Sequence, residues 1–133
     1  MGNERICAAG VELCLKPSKG EAMTTIFGKI IAGEMPAQKV FENERILAIK
    51  DLFPKAPVHL LIMPKKEIPN LQSVSKEDLP LISEIVEIAQ NLADTFNVAE
   101  GYRLIVNNGA EAGQSVSHLH FHLIGGKTLG GMA

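Results

Sequence analysis

Three of the four histidines in this chain stand at every second position near its C-terminal end, as His118, His120 and His122. The positions between and after them are apolar: Leu119, Phe121 and Leu123. Strict alternation over this length predicts a half-buried β-strand, because successive side chains of a strand point to opposite faces. The apolar residues would then face a core, and the three imidazoles would share the other face with neighbours about 7 Å apart. The alternation therefore predicts one site that contains all three rings.

Three imidazoles on one face are compatible with two kinds of chemistry. Neutral imidazole is the commonest nitrogen ligand of zinc, and two histidines two residues apart on a strand can bind one ion. Alternatively, the middle imidazole attacks phosphorus and its neighbours assist. The turn Gly113-Gln114-Ser115 precedes the segment and offers amide N–H groups and a hydroxyl, which suit an anionic phosphate oxygen. We therefore favour phosphoryl chemistry over a metal site, expect no metal and no cofactor, and keep a solvated histidine face without chemistry as a third alternative.

Length and charge exclude several classes of protein. A chain of 133 residues is expected to form one domain, and a net charge of −2 gives no reason to expect nucleic acid or an anionic membrane as a partner. No apolar run approaches the ~20 residues of a membrane span. Cys7 and Cys14 are the only cysteines and do not form a disulfide framework, so we expect a cytoplasmic protein; a pair or a metal site between them is the alternative.

The first 23 residues differ in composition from the rest. They are rich in Gly, Ala, Lys and Glu, lack clear periodicity and contain Pro17 and Gly20. We expect residues 1–23 to be a flexible extension, with Met23 as a candidate natural start, and residues 24–133 to form the folded domain.

Periodicity and turn residues predict two helices and five strands. Thr25 is expected to cap a short helix that ends near Gly33, and Ser75 and Asp78 resemble a capping box before a long amphipathic helix with Pro80 in its first turn. The strands are expected at 39–41, 45–49, 58–63 and 102–107, followed by the histidine segment. Short connections between these elements predict an antiparallel α+β domain.

The segment His118-Leu119-His120-Phe121-His122-Leu123-Ile124 resembles the His-φ-His-φ-His-φ-φ signature of the histidine triad (HIT) superfamily. Further segments resemble the Hint branch of that superfamily: 25–31 with 34–37, Asp51-Leu52 with Pro54, Ala56, Pro57 and His59, 64–66, 101–103 with Val106-Asn107, and 113–116 with Gly125-Gly126. The resemblance covers residues 24–126. The chain departs from it at its end, where it has no tryptophan and no Trp-Pro-Pro-Gly-like tail.

The resemblance implies a HIT-like fold and a phosphoramidase. The implied fold is a five-stranded antiparallel sheet with two helices, continued across a homodimer. The implied reaction is hydrolysis of the P–N bond of a purine nucleoside 5'-phosphoramidate, or of the acyl–phosphate bond of an aminoacyl nucleotide. His120 would be the nucleophile that forms a nucleotidyl-histidine intermediate, with its ring proton held by the carbonyl of His118. Because His122 stands where a glutamine would indicate a nucleotidyl transferase, hydrolysis is favoured.

The resemblance also assigns the remaining site residues. His59 and His118 would complete the polar shell around His120, His122 would contact a phosphate oxygen and the bridging atom, and Ser115 would donate a proton to the leaving amine. The implied substrate contacts are Asp51 with the ribose hydroxyls, Ile26, Phe27 and Leu52 with the purine, and Asn107, Gly113, Gln114 and Val116 with the phosphate and leaving group.

Each assignment has a plainer alternative. His59 could be a core histidine, Asp51 a turn residue, and Asn107 part of the turn Asn107-Asn108-Gly109. Two other functions stay open as well. One is hydrolysis of dinucleoside polyphosphates, and the other is a nucleotide-binding scaffold without turnover.

Overall fold

The computed structural model describes residues 25–132. The predicted extension 1–23, and with it both cysteines, lies outside the described residues. The elements in chain order are α1 (Ile26–Ile31), β1 (Lys39–Glu42), β2 (Ile46–Lys50), β3 (Val58–Pro64), α2 (Leu79–Thr95), β4 (Tyr102–Val106) and β5 (Phe121–Gly125). Short 3₁₀ turns occupy Leu71–Ser73, Lys76–Asp78 and Ala110–Ala112. Within 25–132, no helix combines the length and the apolar character needed to cross a membrane.

The five strands form one antiparallel sheet in the order β1-β2-β3-β5-β4. The predicted α+β class, with five antiparallel strands and two helices, is confirmed. The most buried strand is β3, which lies between β2 and β5 and has six of its seven residues buried. This central position explains why the sequence of β3 is almost continuously apolar.

The long helix α2 covers one face of the sheet. Its buried residues recur at three- and four-residue steps and are Ile85, Ile88, Ala89, Leu92 and Ala93. All of them except Ala93 pack on side chains from β2, β3 and β5 in one apolar cluster that includes Ala48, Leu60 and Leu123. We call this side of the sheet the long-helix face.

The predicted capping box at the start of α2 is wrong. Ser75 precedes the 3₁₀ turn Lys76–Asp78 and makes no side-chain bond to a helix N–H; its hydroxyl instead lies 3.3 Å from a carboxylate oxygen of Asp78. Asp78 is the residue that precedes α2, and Pro80 lies in the first turn as expected, where its missing N–H costs little. The extra turn shifts the helix start by three residues relative to a capping box at Ser75.

The short helix α1 lies on the opposite face of the sheet. The Thr25 hydroxyl accepts a hydrogen bond from the Gly28 N–H at 2.9 Å, which confirms the predicted cap. Phe27 and Ile30 of α1 pack with Leu47, Ile49, Leu61 and Met63 of β2 and β3. We call this side the cleft face, because six helical residues are too few to cover the sheet and leave an open cleft beside α1.

Candidate active site

The histidine segment does not lie entirely within a paired strand, and in this respect the prediction is wrong. β5 begins at Phe121, which pairs with Ile62 of β3 and Val106 of β4. Before that point the Leu119 N–H donates to the carbonyl of Ile68 at 2.7 Å, in the loop after β3. This bond replaces a ladder partner, so His118 and His120 precede the sheet while His122 lies within it.

The predicted division of side chains between the two faces is nevertheless correct. Leu119, Phe121 and Leu123 belong to the apolar cluster of the long-helix face. On the cleft face the Phe27 ring packs edge-on against His120, with centroids 4.8 Å apart, and the His120 and His122 centroids are 5.1 Å apart. An extended backbone keeps the alternation even where the ladder is interrupted.

His120 is held as the tautomer that a nucleophile needs. Its Nδ1 lies 2.8 Å from the carbonyl oxygen of His118, and a carbonyl can only accept, so the ring proton is on Nδ1. The lone pair of Nε2 is therefore free, and His120 lines the cleft. Burial lowers the pKa of His120, which keeps the ring neutral near pH 7. The expected bond to the carbonyl of His118 is present.

The ring of His118 is a structural support behind the cleft. It is 1% exposed, and its Nε2 donates to the carbonyl of Pro64 at 2.8 Å. Its Nδ1 is buried without a hydrogen-bond partner among the described residues, and burial lowers the pKa of the imidazole. Because protonation would create a buried, unpartnered N–H, the neutral ring anchors the segment to the end of β3.

His59 contacts His122 rather than His120. Its Nε2 lies 2.9 Å from Nδ1 of His122 and 3.3 Å from Oδ2 of Asp51, and its Nδ1 accepts from the Lys55 N–H at 3.0 Å. Burial lowers the pKa of both rings, that of His122 to about 4 with further lowering from His120 and His59. Both ring nitrogens of His59 therefore have polar partners, and one of these partners, His122, lines the cleft. His59 thus belongs to the site and is not an isolated core histidine.

Asp51 takes part in both a turn and the histidine array. Its Oδ1 accepts from the Phe53 N–H at 2.8 Å, as a turn residue would, while its Oδ2 faces His59. Asp51 also lines the cleft, where a carboxylate can accept from hydroxyl groups. The turn alternative and the predicted ligand role are therefore compatible.

The donor geometry argues against a metal ion between Asp51, His59 and His122. Each offers one ligand atom, and these atoms lie within 4.8 Å of one another. To bind an ion, Nε2 of His59 would have to be deprotonated, which would move the ring proton to Nδ1. That atom already accepts from the Lys55 N–H, so two donors would face each other.

The cleft has a volume of about 620 Å³, which is within the usual range for a small-molecule site. Of the sequence-predicted residues it is lined by Ile26, Phe27, Asp51, Leu52, Ser115, Val116, His120 and His122. Its other lining residues are Ile30, Met35, Pro36, Ala37, Gln38, Ile49, Lys50, Phe53, Pro54 and Leu61. Leu52 and Phe53 stand at its rim, each 79% exposed. The lining is apolar around α1 and polar beside the histidines.

Sequence reasoning missed part of this lining. The loop Pro36-Ala37-Gln38 carries no residue type that points to chemistry, and Leu61 looks like any other core residue of β3. Only the three-dimensional proximity of the loop before β1 to α1 could have identified them.

Three predicted substrate contacts lie outside the cleft lining: Asn107, Gly113 and Gln114. The side chain of Gln114 is engaged elsewhere, since its Oε1 accepts from the Gly109 N–H at 2.8 Å and its Nε2 donates to the carbonyls of Pro69 and Val116 at 2.8 and 2.9 Å. Gly113 has a φ of +97°, which favours glycine. Both residues shape the turn that carries Ser115, and their contacts with substrate stay predictions.

A second hollow, of about 450 Å³, lies away from the histidines, between the turn before β2, the residues that follow β3 and the start of α2. Four of its charged side chains form ion pairs across it: Arg45 with Glu84 at 2.8 Å and Lys66 with Asp78 at 2.8 Å. Because these charges are already neutralised, the histidine cleft is the better candidate for an active site.

Comparison with known proteins places the chain among close relatives. The family model of the HIT domain matches residues 32–129. A HIT-like protein of Chlamydia pneumoniae is 54% identical over 109 residues, which are 82% of this chain and 99% of that protein.

Solved structures agree with this result. A HIT family hydrolase from Legionella pneumophila is 45% identical over 77% of this chain and 93% of that chain, with a TM-score of 0.76. A histidine triad protein from Clostridium difficile is 38% identical over 85% and 99% of the two chains, with a TM-score of 0.80. A histidine triad nucleotide-binding protein from Candida albicans is 32% identical over 83% and 84%, with a TM-score of 0.70.

Proposed function

This chain belongs to the HIT family, and on that premise we propose that it is a hydrolase of the Hint type. Its substrates would be purine nucleoside 5'-phosphoramidates or aminoacyl nucleotides, cut at the P–N or acyl–phosphate bond. The observation that carries the proposal is the bond between Nδ1 of His120 and the carbonyl of His118. It directs an unprotonated nitrogen of a neutral ring into a cleft of suitable size.

The reaction proceeds in two displacements at phosphorus. Nε2 of His120 forms a bond to phosphorus, and the bond to the leaving nitrogen breaks with its electron pair going to the amine, which takes up a proton. The carbonyl of His118 stabilises the positive charge that develops on the imidazole. Water then attacks phosphorus and gives up a proton to solvent, the electron pair of the P–N bond returns to Nε2 of His120, and nucleoside monophosphate leaves. Splitting the reaction in this way replaces one difficult step with two easier ones.

The cleft supports recognition of a purine nucleotide. Phe27, Ile30 and Leu61 provide an apolar slot for a flat base, and Asp51 lies where it can accept from ribose hydroxyls. Ser115 and His122 supply polar groups beside His120 for the phosphate. The Candida albicans relative is named a nucleotide-binding protein and the Legionella pneumophila relative a hydrolase, which is consistent with this assignment.

Two further properties belong to the proposal. We expect a homodimer in which the sheet continues through β4, because β4 is an edge strand of the sheet and its five residues are all half-exposed. The molar mass in solution tests this. We also expect a cytoplasmic location, from the positions of Cys7 and Cys14 in the sequence.

Trapping of the intermediate tests the proposal directly. Wild-type protein is mixed with a purine nucleoside phosphoramidate, quenched in alkaline denaturant because phosphohistidine bonds are acid-labile, and digested for mass spectrometry. We expect one nucleoside monophosphoryl group on the peptide that contains His120, and neither the adduct nor turnover in His120→Ala.

Parallel assays separate the alternatives. Faster turnover of a dinucleoside polyphosphate than of the phosphoramidate would favour that hydrolase, and tight purine monophosphate binding without turnover would favour a scaffold. Undiminished turnover in His120→Ala would contradict the proposed mechanism.

A further inference from the structure

We propose that the main-chain N–H of Lys55 locks His59, and through it His122, in neutral tautomers, so that His122 donates a hydrogen bond during the reaction but keeps its proton. This constraint on the tautomers, which we call the lock, depends only on the hydrogen bonds that join Lys55, His59 and His122. The consequence for the leaving group rests on the proposed function.

The first step concerns His59. A main-chain N–H can only donate, so the 3.0 Å bond from Lys55 N requires a lone pair on Nδ1 of His59. A neutral imidazole carries one proton, and on His59 that proton must therefore be on Nε2.

The second step passes the constraint to His122. Nε2–H of His59 lies 2.9 Å from Nδ1 of His122, so this atom must accept. The single proton of His122 is then on Nε2, the nitrogen left to donate to substrate in the cleft that His122 lines. One backbone amide thus sets the protonation pattern of two rings.

The third step explains why neither ring can gain a charge cheaply. A proton added to Nδ1 of His59 would face the Lys55 N–H, and one added to Nδ1 of His122 would face the N–H of His59. The charged and titratable groups that act on these rings are Asp51, whose carboxylate lies 3.3 Å from His59, His120, whose ring centroid is 5.1 Å from that of His122, and Lys55, whose positive charge lowers the pKa of His59. Asp51 favours the proton on Nε2 of His59, which reinforces the lock.

The loop between β2 and β3 is built to hold this amide in place. Its start is tied down by the Asp51 N–H, which donates to the His59 carbonyl at 3.0 Å, and by the bond from the Phe53 N–H to Asp51. The Lys55 amide follows two residues later. Lys55 thus positions His59 through its backbone N–H, which any residue except proline could supply, and its side-chain charge also lowers the pKa of His59.

The lock constrains how the leaving amine is protonated. If His122 gave up its Nε2 proton and took the proton of His59, His59 would become an imidazolate beside the Asp51 carboxylate, which is unfavourable. The amine must therefore take its proton from solvent, directly or through the Ser115 hydroxyl, which would release one proton and receive another from water. His122 keeps its N–H and stabilises charge on the phosphate.

Nuclear magnetic resonance tests the lock without any substrate. Correlation of ring protons with ¹⁵N reports the tautomer of each histidine, and we expect His59 and His122 both to carry their proton on Nε2 from pH 8 to pH 5. An Nδ1 proton on His59, or a second proton on His122 near its usual pKa of about 6.5, would overturn the lock.

A matched pair of variants isolates the amide. Lys55→Pro removes the N–H and Lys55→Ala keeps it, so only the proline variant is expected to raise the pH at which His122 takes up a second proton. Equal titration of His122 in wild type and in a folded Lys55→Pro would contradict the proposal. If the proline variant does not fold, the wild-type tautomers still decide the question.

The kinetic consequence has its own test. The glutamine of His122→Gln can donate a hydrogen bond but cannot transfer a proton. If His122 keeps its proton in the wild type, a plot of log kcat against the pKa of the leaving amine should have the same slope in both proteins. A steeper slope would show that His122 protonates the amine. Absence of turnover in the wild type would contradict the proposed function and leave the tautomer result intact.

Discussion

The two faces of the sheet carry helices of very different length, 17 residues on the long-helix face and six on the cleft face. α2 closes the long-helix face with an apolar cluster to which all five strands contribute. α1 packs Phe27 and Ile30 on two strands only, and the uncovered part of the sheet becomes the cleft. The difference shows where stability and chemistry reside: one face is filled by packing and the other is left open for a ligand.

The segment from Leu119 to Leu123 belongs to both faces at once. Its odd-numbered residues are buried under α2, and its even-numbered residues, His120 and His122, line the cleft. A rotation of the segment would therefore disturb both faces, so packing on the long-helix face fixes the imidazoles on the other. A substitution that removes apolar volume from the long-helix face without rotating the segment should therefore lower stability and leave the imidazoles in place.

The largest expected effect comes from the long-helix face. Leu123 is 0% exposed, and Leu123→Ala should lower the free energy of unfolding by about 2–5 kcal/mol because it loses burial and leaves a cavity. Chemical denaturation measures the change. At temperatures where the variant is folded, its turnover per folded molecule should stay close to that of the wild type.

Leu79→Ala is the matched control, since Leu79 is 53% exposed at the start of α2 and its truncation should change stability by less than about 0.5 kcal/mol. Similar decreases in the free energy of unfolding for Leu123→Ala and Leu79→Ala would contradict the conclusion that burial on the long-helix face stabilises the fold.

The cleft face should make stability depend on pH. Burial lowers the pKa of His59, His118, His120 and His122, the last to about 4, whereas these rings have a pKa of about 6.5 in the unfolded chain. Below pH 6.5 the unfolded state therefore binds more protons than the native state. The free energy of unfolding should consequently fall as the pH drops toward 4. Denaturant titrations between pH 8 and pH 5 measure this slope.

Variants from the two faces sharpen the test. The apolar cluster of the long-helix face contains no histidine, carboxylate or amine, so Leu123→Ala should shift the whole pH curve downward without changing its shape. His122→Asn removes one titrating group and should flatten the curve. An unchanged slope in His122→Asn, or ring signals that titrate near pH 6.5, would contradict the assignment.

The sequence predicted much of the long-helix face, because periodicity records burial, although Leu79 and Val86 follow the same steps and are exposed while Ile88 is buried. The steps of three and four in α2 and the alternation of Leu119, Phe121 and Leu123 identify core residues without knowledge of their partners. The start of α2 was misplaced, since Ser75 and Asp78 match a capping box in sequence but form a separate 3₁₀ turn.

The cleft face was predictable only where residue types carry chemistry. The histidines and Asp51 could be named, but the departure of His118 and His120 from the ladder depends on the Leu119 N–H meeting Ile68, a contact that no local pattern shows. The main-chain donor of Lys55 is invisible in the sequence for the same reason, because every residue except proline has one.

The smallest expected effect concerns the wall of the cleft. Thr25 caps α1 through its hydroxyl, so Thr25→Ala should cost about 1 kcal/mol of stability while Thr25→Ser, which keeps the hydroxyl, should cost less. Because α1 carries Phe27 to the cleft but contributes no group that reacts, loosening it should raise KM for the nucleotide and leave kcat nearly unchanged. Steady-state kinetics of the two variants measure this separation. A fall in kcat at constant KM would mean that α1 positions His120, through the 4.8 Å ring contact with Phe27, and does not merely enclose the base.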